Sequence, residues 1–225
     1  MSRKITKDRQ APYITRNHVS MINPWDIPIL KRMPVPSFIN LGVVSYDNTK
    51  PNDPSRNKIV HFFIDDYKFE TTYTYPERCV PKLAQYTHVL TPDFSLYTDY
   101  PLTLQLMNTF KNRWCGAFWQ ELGLSVIPTI TWASVESFDF CFKGVEKGSV
   151  VAISTNGCRA CKKSFLLGYK EMLRQIEPER VLCFGKPFKE MESNTIFINY
   201  SRFSHKEVES WEEEEPALGI FQQNN

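Results

Sequence analysis

About seven short stretches of this chain are apolar almost from end to end, and helix-patterned or loop segments separate them. They run Leu41–Tyr46, Ile59–Ile64, His88–Thr91, Val126–Thr131, Val150–Ile153, Val181–Phe184 and Thr195–Asn199. Successive side chains of a strand point to opposite faces, so a half-wet strand alternates apolar and polar residues. A strand apolar throughout is covered on both faces, which is the condition of a parallel sheet flanked by helices. The chain therefore reads as α/β. The number of strands favours an irregular or incomplete (β/α) barrel-like form, with a mostly parallel sheet and flanking helices. Complete barrels typically need about 250 residues, and a doubly wound open sheet is the alternative.

Between the strands, Leu102, Leu106, Phe110, Trp114, Phe118 and Leu122 recur at steps of four, which predicts an amphipathic helix. Pro101 suits its start, Asp99 is a candidate cap and Gly123 a stop. Arg113 falls beside the stripe, either paired with an acid or at the surface. Phe165, Tyr169, Met172, Leu173 and Ile176 mark a second long helix, ended by Pro178. Shorter helices are expected over Pro76–Tyr86 and Ser134–Phe140.

Residues 1–36 hold Pro12, Pro24, Pro28, Pro34 and Pro36, which predicts an irregular lead-in packed on the domain through Trp25, Ile27, Ile29 and Leu30. Residues 37–200 form one α/β domain, and residues 201–225 are expected to be an acidic, disordered tail. At 225 residues the chain fits a single core that buries roughly 70–75% of the unfolded surface.

Net charge is only +2, from 27 basic and 25 acidic residues, which gives no global case for nucleic acid or an anionic membrane. The ends are uneven. Arg3, Lys4, Lys7, Arg9 and Arg16 face one acid, Asp8, while Glu207, Glu209 and Glu212 to Glu215 form an acidic run. Both read first as solvated ends. No apolar run approaches the roughly 20 residues of a membrane helix, and Ile5 to Tyr13 is too polar for a signal-peptide core. The expectation is a soluble, cytoplasmic protein whose six cysteines are small buried hydrophobes.

Both candidate architectures place ligands at the carboxyl ends of the strands. That rule selects Asp65 and Asp66, then Asp93, Thr131 and Trp132, then Thr155-Asn156-Gly157-Cys158, Gly185-Lys186 and Asn199-Tyr200. Of two adjacent acids only one faces a given pocket. The stretch from Val151 to Cys158 passes from a buried strand through a small polar turn into a helix, whose free N–H groups suit an anion. Arg159, Lys162 and Lys163 oppose the helix dipole there, a conflict that a bound phosphate or carboxylate would offset. No Walker-type loop is present, so ATP is not indicated.

Cys158-Arg159-Ala160-Cys161 is a lone C-x-x-C at a helix start, where the first thiol's pKa can fall. Zinc would need two further ligands, and His18, His61, His88 and His205 are scattered. No nucleophile–base pair is legible, which leaves open whether the protein is an enzyme, and no metal or cofactor is assigned. The leading expectation is a site for an anionic metabolite or nucleotide-like molecule lined by Asp65, Asp93, Trp132, Thr155, Asn156 and Lys186. Two rivals stand beside it. One is a nucleic-acid-associated accessory protein using the basic residues 1–16 and the many aromatics. The other is a protein-binding inhibitor of host machinery, acting through an exposed surface or the acidic tail around Trp211.

Several segments resemble an uncharacterised family, one of the catalogued domains of unknown function of bacteria, phages and mobile elements. They are Thr91-Pro92-Asp93-Phe94-Ser95, Asn108 to Trp114, Gly116-Ala117-Phe118-Trp119-Gln120, Val126 to Trp132, Phe140-Cys141-Phe142 and Ser154 to Cys158. The resemblance covers roughly residues 20–190 and implies a prokaryotic or phage setting. It brings no catalytic residue with it.

Overall fold

In the computed structural model, which describes residues 16–38, 41–191 and 194–198, the lead-in opens on an antiparallel pair, β1 (Met21–Ile22) and β2 (Ile27–Pro28). Strands β3 (Gly42–Ser45), β4 (Lys58–His61), β5 (His88–Leu90) and β6 (Val126–Ile127) then pair in that order, all parallel. Strands β7 (Val150–Ser154), β8 (Arg180–Phe184) and β9 (Thr195–Ile198) do the same. The two groups join just past Pro128. There the Ile130 N–H donates to the Ala152 carbonyl and the Ala152 N–H to the Pro128 carbonyl, both at 2.8 Å.

Strand order therefore follows chain order without the reversal that defines a doubly wound sheet. The sheet also curls. Four strand spacings of about 4.8 Å would hold β4 and β8 about 19 Å apart if the sheet were flat. Instead the Phe184 ring of β8 lies 5.3 Å from His61 of β4 and 4.7 Å from Phe63 just beyond it. Among the described residues β9 does not pair with β3, so the form is an incomplete barrel.

Alternation along the strands explains why they are apolar throughout. Val150, Ala152, Leu182 and Phe184 join the core built by β3 to β6. Their neighbours Val151, Ile153, Val181 and Cys183 pack outward against Phe165, Tyr169, Met172 and Ile176 of a long helix (Lys162–Ile176). That helix is α4. It comes after α1 (Thr71–Thr74), α2 (Pro76–Leu83) and α3 (Leu102–Glu121).

Details depart from the sequence reading. The short helix expected over Ser134–Phe140 is a 3₁₀ helix, Val135–Asp139. Strand β6 stops at Ile127 because Pro128 has no N–H for the ladder. Asp99 does not cap α3; Pro101 occupies that position and no side chain caps it.

The apolar stripe of α3 is also not its main buried face. Leu102 and Leu122 are 47% and 51% exposed, whereas Gln105, Asn108, Thr109, Asn112, Arg113 and Gly116 are buried. Trp114 instead packs beneath the lead-in, where the Arg16 guanidinium sits 3.9 Å from the ring centres of both Trp114 and Tyr73. Gln120 fastens the same lead-in, accepting from the Lys31 N–H and donating to the Lys31 carbonyl, each at 2.9 Å.

Arg113 proves to be neither at the surface nor paired with an acid. It is 2% exposed, and among the described residues no carboxylate stands within ion-pair distance. Its guanidinium donates to the carbonyls of Lys143 (3.0 Å), Thr129 (3.1 Å) and Cys141 (2.7 Å) and to Asn112 Oδ1. Burial lowers its pKa to about 10, so it keeps its charge at neutral pH.

Two consequences are measurable. Arg113→Met strips the donors from the Cys141 and Lys143 carbonyls and should cost on the order of 3–5 kcal/mol, read by urea unfolding with circular dichroism. Arg113→Lys keeps the charge without the planar fork and should recover only part of the loss; a Met variant as stable as the wild type would show that the network carries no weight.

His61 supplies the second. It is fully buried on the inner face, and burial lowers its pKa from 6.5 to about 3. The folded state therefore keeps it neutral while the unfolded chain protonates it. Its contribution is complete above pH 6.5 and is lost as pH falls toward 3, by at most about 1.4 kcal/mol per pH unit. Between roughly pH 6.5 and 5, above most carboxylate titration, unfolding free energy should fall less steeply in His61→Leu than in the wild type.

Candidate functional site

The carboxyl ends of β5 to β8 supply the polar residues, and the local chain shows how each is held. Beyond β4, Asp65 is exposed and precedes a 3₁₀ turn over Asp66–Lys68. Its neighbour Asp66 accepts from the Ser95 N–H at 3.0 Å and the Ser95 hydroxyl at 2.9 Å, which ties the β4 exit to the β5 exit. The two adjacent acids thus divide: Asp66 is a structural link, and Asp65 stands outside it.

Beyond β5, Asp93 is half-buried and accepts a hydrogen bond from the Thr131 hydroxyl beyond β6. Its charge also reaches Cys158 beyond β7. Burial, then Cys161, then Asp93 push the Cys158 thiol up to about 12. The lowered first thiol expected of a C-x-x-C at a helix start is therefore not found. Cys158 sits in a turn four residues ahead of α4, where desolvation of the thiolate outweighs the helix dipole.

The exits of β7 and β8 are bound to each other. The Thr155 N–H donates to the Phe184 carbonyl at 2.9 Å, and the Thr155 hydroxyl donates to the Lys186 carbonyl at 3.0 Å. The Arg159 guanidinium donates to the same carbonyl and lies 4.5 Å over the Phe188 ring. Gly185, at φ +98°, makes the close approach possible. A Cβ there would stand 2.6 Å from Asn156 Oδ1 and 2.7 Å from Thr155 Oγ1.

The result is a cradle of Thr155, Asn156, Gly185 and Lys186 rimmed by cations. Lys162 is committed to Glu190 at 2.7 Å, whereas Lys163 and Lys186 are exposed. The first turn of α4 contains no acid, and Cys161 at its N-cap offers no side-chain cap. Positive charge thus gathers at the positive end of the helix dipole, an arrangement that favours an anion.

Of the residues selected from sequence, the structure brings Thr155, Asn156 and Lys186 together and sets Asp93 beside Cys158 at the same edge. It does not place Trp132 in the cradle. The Trp132 ring packs 4.9 Å from Phe165 and 5.9 Å from Phe142, over Gly168 of α4, where a Cβ would meet its Nε1 at 2.1 Å. Asn199 and Tyr200 lie outside the described residues, as do residues 1–15 and the acidic run. Among the described residues no three His, Cys, Asp or Glu side chains gather to hold a metal ion. No helix among the described residues is long and apolar enough to cross a membrane.

Sequence reasoning singled out Thr131 and Arg113 separately but missed the polar layer they share beneath the site. Arg113, Asn112, Asn108, Thr109 and Thr131 line a cavity of about 10 Å³ between α3 and the exit of β6, space for about one water. The legible signal was the series Gln105, Asn108, Thr109, Asn112 and Gly116, uncharged polar or small residues at helical spacing opposite an apolar stripe.

Comparison with known proteins places this architecture. Residues 19–201 match the family described as Domain of unknown function (DUF4417). The Gene 1 protein of Mycobacterium phage L5 is 46% identical over 130 residues, covering 56% of this chain and 57% of the relative. The Gene 1 protein of Mycobacterium phage D29 is 39% identical over 167 residues, covering 71% of this chain and 62% of the relative. The chain thus spans about three fifths of the length of these relatives. No solved structure matches it. With most of its length inside the match, and with mycobacteriophage proteins among its relatives, the chain belongs to the DUF4417 family.

Proposed function

We propose that this protein works in a phage or mobile-element setting by binding a small anionic molecule, a metabolite or nucleotide-like compound, at the carboxyl ends of β7 and β8. The observation that carries the reading is the cradle at Gly185. A positive-φ glycine lets the β8 exit close on Thr155 and Asn156, the Arg159 guanidinium is held at the Lys186 carbonyl, and the Lys186 side chain is exposed beside it. Thr155 and Asn156 orient the anion, and Lys186 supplies charge. Asp93, an acceptor when ionised, favours a ligand that also offers hydroxyl or amino donors, which is what distinguishes a nucleotide-like molecule from bare phosphate. Trp132 and Asp65 play no part in this version of the site.

The test uses the full chain, titrated with inorganic phosphate and with a nucleoside monophosphate and followed by amide chemical shifts and calorimetry. Shifts should centre on residues 155–159 and 185–186. Asn156→Ala and Lys186→Ala should each weaken binding roughly tenfold or more, the scale of one charge-assisted hydrogen bond, with an unchanged thermal midpoint. Affinities equal to the wild type in both variants would remove the cradle from consideration. Salt-sensitive binding of a single-stranded oligonucleotide in place of either small probe would move the reading to nucleic acid.

A further inference from the structure

The six cysteines divide sharply. Cys79, Cys115, Cys141 and Cys183 are buried, Cys158 is partly buried and Cys161 is exposed, and all six are free. The four buried thiols lie out of reach of a dissolved reagent, whatever their acidity. The outer two are placed differently. The Cys161 N–H donates to the Cys158 carbonyl at 3.2 Å, closing a tight turn over the four residues. Such a turn holds its end Cα atoms within about 7 Å, and a disulfide spans about 4.4–6.8 Å. The Cys161 sulfur is folded back over that turn, 3.5 Å from the Cys158 carbonyl oxygen. Closing a bond between the two sulfurs asks for side-chain rotation and little movement of the backbone.

We propose that Cys158 and Cys161 form a thiol–disulfide exchange site whose oxidant is a low-molecular-weight disulfide. The exposed Cys161 thiolate attacks one sulfur of the small disulfide, forming a mixed disulfide and releasing one small thiolate. Cys158 then gives up its proton to solvent and attacks the Cys161 sulfur, releasing the second small thiolate. The protein loses two protons and two electrons, and one small disulfide takes them up to become two small thiols. The order of attack is the reverse of that expected from the motif, because the exposed thiol is the second cysteine. The closed bond would stiffen the turn that carries Arg159, and the exchange itself does not depend on the anion reading.

The experiment treats the folded full chain with excess hydroxyethyl disulfide, then counts free thiols and maps peptides by mass spectrometry. The expected result is the loss of two of the six thiols, a mass lower by two hydrogens, and one peptide bridged between Cys158 and Cys161. Cys161→Ser should keep all its remaining thiols, and Cys158→Ser should stop at a mixed disulfide on Cys161. Wild-type protein that accumulates a stable mixed disulfide on Cys161 with Cys158 still reduced would overturn the proposal, as would no reaction at Cys161. The wild-type map alone decides the matter if a serine variant folds poorly.

Discussion

The Arg113 guanidinium, buried with no carboxylate partner among the described residues, is the constraint around which the strand ends are arranged. Moving such a charge out of water is costly, and here carbonyl dipoles alone offset it. Arg113 meets them from three directions: Thr129 at the end of the β6 segment, and Cys141 and Lys143 in the loop before β7. Asn112 extends the network, donating to the carbonyls of Pro92 at 2.8 Å and Thr129 at 3.2 Å and accepting from the Thr91 hydroxyl at 2.9 Å. Thr91 and Thr129 are also joined directly, by the Thr129 N–H to the Thr91 hydroxyl at 2.7 Å and the Thr129 hydroxyl to the Thr91 carbonyl at 2.8 Å. These side-chain bonds take over where Pro92 and Pro128 leave the ladder without donors. Asp93 and Thr131, each two residues past one of the joined threonines, are positioned by them.

Close backbone approach does the rest, and it depends on glycine at particular points. A Cβ at Gly116 would stand 2.5 Å from Thr91 Cγ2 and 2.6 Å from Leu30 Cδ2, so α3 presses the lead-in and β5 together there. At Gly185 the same principle works on the other side of the strand ends and draws Asn156 against β8. The first contact fixes the helix on the sheet. The second shapes the cradle.

The strands and most helices were legible because burial writes itself as composition. Val150–Ile153 and Val181–Phe184 could only be covered on both faces, and the structure divides their residues between two cores. Chain-order pairing and curl were less legible, since they rest on contacts such as Phe63 with Phe184 between segments far apart in sequence. On α3 the periodicity was right and the assignment of faces was not. Trp114 and Phe118 do pack, but against His18, Tyr73 and the lead-in, while the sheet side takes Asn112 and Arg113. A hydrophobicity pattern gives an arginine the surface by default, and only its carbonyl partners, scattered over Thr129 to Lys143, reverse that. Trp132 shows the complementary limit. The strand-end rule locates its backbone, but the space left by Gly168 decides where the ring goes.

The separate strand ends meet along one edge: Asp93 beyond β5 accepts from the Thr131 hydroxyl beyond β6, and its charge adds, behind burial and Cys161, to the rise in the pKa of the Cys158 thiol beyond β7. The Phe184 ring that meets His61 and Phe63 inside the barrel belongs to the residue immediately before Gly185. The packing that closes the interior thus also sets the height at which the β8 backbone turns toward Thr155 and Asn156. Core and candidate site are consequently joined at one residue: the Phe184 ring packs the interior, while its carbonyl accepts from the Thr155 N–H at 2.9 Å.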